Sequence, residues 1–196
     1  MGEGGYCLFE TSLGWCGIAW REPDDPGAPP AVTWLQLPEA NPKLTQSRMA
    51  RKFSASGPSL PPPEIGEVIE RIKRHLSGDL QDLRNIPVDL RETDLFARQV
   101  YGAAREIPAG QTRTYGEIAK SLSPRGDPRA VGQALAGNPI AIIIPCHRVL
   151  GSGGKPGGFS ARGGLATKAK LLAIEGTTLP QERQAAEPHP SLPFPD

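Results

Sequence analysis

The chain has 196 residues, 38% of them hydrophobic and 22% charged, with a formal net charge of +1. That length fits one domain or two small ones and can bury a core without disulfide staples. Gly 23 and Pro 22 make up almost a quarter of the residues, so long loops and a loose tail are expected.

No apolar run approaches the roughly 18 residues of a membrane span, the longest clear one being Ile140 to Ile144. The opening MGEGGYCLFE lacks the basic start and apolar stretch of a secretory signal. Cys7, Cys16 and Cys146 are too few and too scattered for a disulfide framework, which predicts a reducing, cytoplasmic setting. Charge is unevenly spread: residues 92–176 carry a net +5 and the remainder a net −4. A basic second half suits a polyanion such as nucleic acid, or is a solvated face.

Tyr6 to Glu10, Gly17 to Arg21 and Val32 to Gln36 are short and rich in aromatic and branched residues, which predicts a small sheet. Ile65, Val68, Ile69, Ile72 and Leu76 recur at helical spacing between prolines 61–63 and Gly78, a helix to cover one face of that sheet. Residues 79–91 are polar and read as a linker, closing an N-terminal domain at residues 1–91.

A second domain is expected over residues 92–176. Phe96, Val100, Ala103, Ala104 and Ile107 form a helical stripe stopped by Pro108 and Gly110. Thr114-Tyr115-Gly116-Glu117 is a capping box that opens another helix. After a turn at Ser123 to Gly126, Asp127 caps a third helix with Pro128 at its first position. The pair reads as a helix-turn-helix. Its second helix is made of small residues, Ala130, Gly132, Ala134 and Ala136. Either something approaches this backbone closely or the helix packs tightly on another. Ile140 to Ile144 reads as a short buried strand, followed by a glycine-rich loop at 151–164. Leu165, Ala169, Leu172 and Ala173 mark a last helix ending at Glu175 and Gly176. Residues 177–196, which include His189, read as a disordered tail. The fold class is therefore α/β (α+β), a sheet with a covering helix joined to a mainly helical second domain.

Cys146 stands where the apolar run stops and the glycine loop begins. His147 and Arg148 lie directly beside it, and positive charge nearby lowers a thiol pKa. In extended chain the two side chains would point to opposite faces, so His147 can serve Cys146 only across a turn or through a water. Glu175 faces the unfavourable end of a helix dipole. It is either an ordinary exposed glutamate or one that orients an imidazole.

Taken together, Arg129-Ala130-Val131-Gly132, Gly137-Asn138-Pro139, Ile144-Pro145-Cys146-His147-Arg148-Val149, Gly163-Gly164-Leu165 and Leu171-Leu172-Ala173-Ile174-Glu175-Gly176 resemble the O6-alkylguanine-DNA alkyltransferases. Thr114 to Ala119 match as well. The likeness is close over about residues 92–176 and loose before them. It implies a suicidal methylated-DNA–protein-cysteine methyltransferase that acts once, without cofactor or metal. By this resemblance the Cys146 thiolate attacks the alkyl carbon on guanine O6. His147 takes the thiol proton through a water, Glu175 orients His147, and Asn138 holds the active-site turn together. Tyr115 supplies its hydroxyl to the departing base. The small helix, with Ala130 and Gly132, enters the DNA minor groove, and Arg129 fills the gap left by the flipped base. Val149, Phe159 and Ser160 contact that base. The implied partner is double-stranded DNA carrying O6-alkylguanine, with O4-alkylthymine as a second lesion. The implied protein is a monomer, cytoplasmic and at the nucleoid in a bacterium or nuclear in a eukaryote.

The chain departs from the family pattern in its loop. Phe159 stands where many members have tyrosine, and Ala161 and Arg162 are two extra residues, which predicts a reshaped lid open to bulkier or anionic adducts. Cys7, Cys16 and His75 could be compared with relatives that hold a structural zinc, but they lack a tight spacing and read as structural residues. Two other functions remain in view: a sensor or regulator that binds alkylated DNA without chemistry, and a thiol hydrolase built on Cys146, His147 and Glu175.

Overall fold

The computed structural model describes residues 4–55, 57–122 and 126–178. The turn expected at 123–126 and the tail expected at 177–196, with His189, lie almost wholly outside the described residues.

The three N-terminal strands form as expected: β1 (Gly5–Thr11), β2 (Gly14–Arg21) and β3 (Ala31–Gln36) pair antiparallel in that order. Alternation gives each face its own partner. Cys16, Ile18 and Trp20 point into the main core, whereas Tyr6 and Ala19 face the other way. That second face is covered by a helix the sequence pattern does not predict, α1 (Pro42–Lys52). Only Thr45 and Met49 of α1 are buried, so it carries almost no apolar stripe. Met49 sits over Gly17, where a Cβ would come within 2.6 Å of its Cγ. The predicted helix is α2 (Pro63–Leu76), and it buries Ile65, Val68, Ile69, Ile72 and Leu76 beneath the first face. Each such side chain contributes roughly 1.5–3 kcal/mol of burial.

The second half contains α3 (Leu95–Arg105), the two-residue strand β4 (Arg113–Thr114), α4 (Tyr115–Ser121), α5 (Pro128–Ala136), strand β5 (Val149–Leu150) and α6 (Leu165–Ile174). The starts of α3, α4 and α5 are capped by side chains. Asp94 accepts from the Ala97 N–H at 2.8 Å, and Thr114 and Glu117 form the reciprocal box. Strands β4 and β5 pair in parallel and bring the start of α4 beside the segment that follows Cys146. No helix among the described residues is long and apolar enough to cross a membrane.

Two expectations need correction. Ile140 to Ile144 is buried but is not a strand. It is a tight turn in which the Ile144 N–H donates to the Ile140 carbonyl at 2.9 Å and Ile142 adopts a φ of 71°. Burial satisfies the apolar pattern with no ladder, only isolated bridges from Ile140 to Leu35 of β3 and from Ala141 to Ile144. Residues 79–91 are also no free linker. Leu83 and Ile86 are buried in the same core cluster as Ile18 and Val100, and Arg105 Nη2 donates to the Ile86 carbonyl at 2.7 Å. The two halves thus share one apolar core. They are stitched at the site itself, where the Leu35 N–H donates to the Pro139 carbonyl at 2.9 Å.

Candidate active site around Cys146

The turn that presents Cys146 is built by Asn138. Its Nδ2 donates to the Ile144 carbonyl at 2.8 Å, and its Oδ1 accepts from the Ile140 N–H at 3.0 Å. Pro145 then leads into one turn of 3-10 helix, Cys146–Arg148. Successive side chains of such a turn splay in three directions. Cys146 stays partly exposed, while His147 and Arg148 are driven into the interior.

Both land on Glu175. His147 Nε2 lies 3.0 Å from Oε1, and Arg148 reaches the same carboxylate with Nη2 at 2.7 Å and Nε at 2.9 Å. Glu175 is only 3% exposed, which excludes the surface reading. Its place is set by the end of α6. Gly176, at a φ of 74°, closes a Schellman motif in which Gly176 N–H donates to Ala173 and Thr177 N–H to Leu172. A third partner comes from α2, 100 residues earlier: His75 Nε2 lies 3.0 Å from the same Oε1.

Electrostatics follow from this burial. Burial pushes the Cys146 thiol up; Asn138, Lys168 and the backbone N–H groups of Cys146 and His147 pull it down without prevailing. The expectation of a thiol lowered by its two neighbours is therefore not met, because Arg148 turns away to Glu175. Burial lowers His147 below its ordinary value despite the Glu175 carboxylate. Burial also opposes ionisation of Glu175, but its bonds to His147, His75 and Arg148 outweigh this and hold it well below the usual carboxylate range. The resting state is then a neutral thiol and a neutral imidazole around an ionised carboxylate. His147 Nε2–H donates to Glu175, so Nδ1 carries the free lone pair, and it has no protein partner among the described residues.

Cys146 opens into a cavity of about 990 Å³ that Tyr115, Arg129, Gly132, Phe159 and Ser160 also line. Asn138 lines a smaller adjoining cavity of about 210 Å³ with Cys146, Phe159, Ser160 and Ala161. His147 and Glu175 lie behind the thiol. Two candidates do not line the larger cavity: Val149, which is fully buried, and Ala130, which is half-buried. Arg162 is exposed. A Cβ on Gly132 would meet Tyr115 at an ordinary 3.8 Å, so packing inside the protein does not demand glycine there. The space in front of α5 belongs to the cavity.

Sequence reasoning left two groups out of this site. His75, weighed only as a zinc ligand, is one. The other is Lys168, fully buried, whose Nζ donates to the Val149 carbonyl at 2.7 Å and whose pKa burial lowers to about 8. Both carry charge-bearing side chains in apolar helix stripes, a mismatch that could have flagged them. Cys7 and Cys16 are strand cysteines pushed up to about 11 and about 12 by burial. Among the described residues no cluster of three or more His, Cys, Asp or Glu is arranged to hold a metal ion.

Residues 95–177 match the family model for the 6-O-methylguanine DNA methyltransferase DNA-binding domain. A methylated-DNA–protein-cysteine methyltransferase of Mycolicibacterium paratuberculosis is 39% identical over 161 residues, 81% of this chain and 92% of the relative. One from Shigella flexneri is 33% identical over 76% of this chain and 84% of its own length. Among solved structures, Mycobacterium tuberculosis OGT in complex with DNA superposes with a TM-score of 0.65 at 32% identity, covering 87% of this chain and 92% of that one. A thiol in a cavity, the buried pair behind it and relatives matched over nearly their full length lead to one conclusion: this chain belongs to the methylated-DNA–protein-cysteine methyltransferase family.

Proposed function

We propose that this protein repairs DNA by moving the alkyl group of O6-alkylguanine onto Cys146, once per molecule. The observation that carries the reading is the Cys146 thiol in the wall of the large cavity with the His147–Glu175 pair buried behind it. His147 Nδ1 takes the thiol proton through a water, and Glu175 keeps that ring in the required tautomer. The thiolate attacks the alkyl carbon in line, the S–C bond forms and the C–O6 bond breaks. The leaving guanine anion takes a proton from the Tyr115 hydroxyl. Burial, together with the charge at Cys146, raises Tyr115, so its proton is retained until a strong base appears. A donor placed where charge develops lowers the barrier.

A base in a duplex must leave the stack to reach Cys146. Residues 92–176 carry DNA binding and transfer, with α5 in the minor groove, Gly132 allowing close approach and Arg129 filling the vacated stack. Phe159 and Ser160 hold the base, and residues 1–91 brace the turn through Leu35. The protein works as a monomer in the cytoplasm. Intact mass spectrometry after incubation with an O6-methylguanine duplex, beside Cys146→Ser, tests this. One methyl on the wild type alone, stopping at one equivalent, supports transfer. Tight binding without a mass change would replace it with a lesion sensor.

A further inference from the structure

His75 has no part in the reaction as described above, yet it is 1% exposed and sits on the oxygen that orients the base. Its tautomer is fixed by a second bond. The Gln81 backbone N–H donates to His75 Nδ1 at 3.1 Å, so the ring proton is on Nε2 and is given to Glu175 Oε1. We propose that His75 is a positioning residue for alkyl transfer: its Nε2–H shares Glu175 Oε1 with His147 and so sets how strongly that carboxylate holds the imidazole proton.

The proposal rests on His147 and Glu175 acting as described under Proposed function. A carboxylate oxygen that accepts a second neutral donor is a weaker acceptor for the first. His147 then gains less from becoming an imidazolium, and its Nδ1 stays unprotonated to lower pH. The other groups facing this cluster are Arg148, ion-paired to Glu175, and the mutually interacting Cys146 and Lys168. At the exposed end of α2, Arg74 pairs with Asp79 at 2.6 Å. With both imidazoles neutral, the buried charges of Glu175 and Arg148 cancel. Residues contributed by α2 and by the strap after it thereby bear on the nucleophile in the other half of the chain.

The test is the pH dependence of single-turnover methyl transfer from an O6-methylguanine duplex by the full-length protein. His75→Phe should move the midpoint upward by about one pH unit, a loss of roughly tenfold on the acid side. His75→Gln, which keeps a donor near Nε2, should retain the wild-type midpoint. A His75→Phe midpoint equal to wild type would overturn the proposal, since a residue that only fills space leaves the profile in place. Nitrogen-15 spectra of the wild-type imidazoles decide the matter should the phenylalanine variant not fold. They should show His75 as the Nε2–H tautomer, and a proton on its Nδ1 would end the idea. Glu175→Gln separates the two levels: full-rate transfer in that variant refutes the roles of Glu175 and His147 themselves.

Discussion

Asn138 donates to the carbonyl of Ile144 at 2.8 Å, two residues before Cys146. Its Oδ1 closes the other end on the Ile140 N–H, so one side chain spans the turn that holds Ile142 at positive φ. Asn138→Ala strands the Ile140 N–H and leaves the Ile144 carbonyl only its bond from the Cys146 N–H, and is expected to cost about 2 kcal/mol. Transfer should slow by roughly a hundredfold, because a misplacement near 1 Å at the reacting atom is that expensive. Urea melts and single-turnover rates check the two effects separately. A normal rate in a destabilised variant would show that the turn is held without Asn138.

Glu175 and Arg148 form a buried ion pair, with side chains 1% and 7% exposed. Glu175→Gln leaves the guanidinium without its counter-charge and should lose about 3–5 kcal/mol. Adding Arg148→Met removes the stranded charge and should restore a large part of that loss. A double-mutant cycle by chemical denaturation measures the coupling. Additive losses would mean the pair contributes little beyond packing.

The same cluster predicts acid sensitivity with a defined order. His147 titrates lower in the folded state than its ordinary 6.5, because burial disfavours the cation. Its contribution is therefore present above pH 6.5 and is lost as pH falls through the folded value. Glu175 is held below its ordinary 4.5, so its share is intact above that pH and fades only on further acidification. Thermal melts across this range should fall in two stages. His147→Gln should flatten the first, which sets in below the ordinary 6.5, and an unchanged slope there would contradict the assignment.

How much of this was legible depends on whether a feature is local. The Thr114–Glu117 box, the Asp127-Pro128 start and the α2 stripe are read from residues three or four apart, and all three are found in place. Helix α1 escapes because it buries two residues of eleven; the Asn41-Pro42 cap was its one signal. Ile140 to Ile144 misleads because an apolar run reports burial, not geometry. Cys146 and His147 are adjacent and visible, but the partners of Glu175 come from positions 75, 147 and 148. No periodicity connects such positions; only the packed core does. Lys168, a cation in an apolar helix, is buried, which the sequence pattern does not show.

Gly157 shows why the loop after the nucleophile is rich in glycine. It has a φ of 65°, and a Cβ there would stand 2.7 Å from the Tyr115 hydroxyl. Gly157→Ala meets both the left-handed penalty of about 1–2 kcal/mol and this clash. The loop or Tyr115 must shift, so transfer should fall sharply and the melting temperature should drop by roughly several degrees. Gly158→Ala, where a Cβ meets nothing within 4 Å, is the matched control. Equal rates for the two variants would remove the loop from the positioning of Tyr115.

Lys168 is the buried cation that interacts with the Cys146 thiolate. Its Nζ is held by the Val149 carbonyl at 2.7 Å, and burial lowers its pKa to about 8. Below that pH the ammonium favours ionisation of the thiol; above it the ammonium is lost and the help fades. Lys168→Met keeps the length of the side chain without the charge. It should slow transfer by roughly tenfold near neutral pH, the equivalent of about one pH unit in the thiol. The deficit should shrink as pH rises past about 8, because the wild type then loses the same charge. Single-turnover rates from neutral to alkaline pH read this directly. A ratio that stays constant across the range would assign Lys168 to packing and remove it from the activation of Cys146.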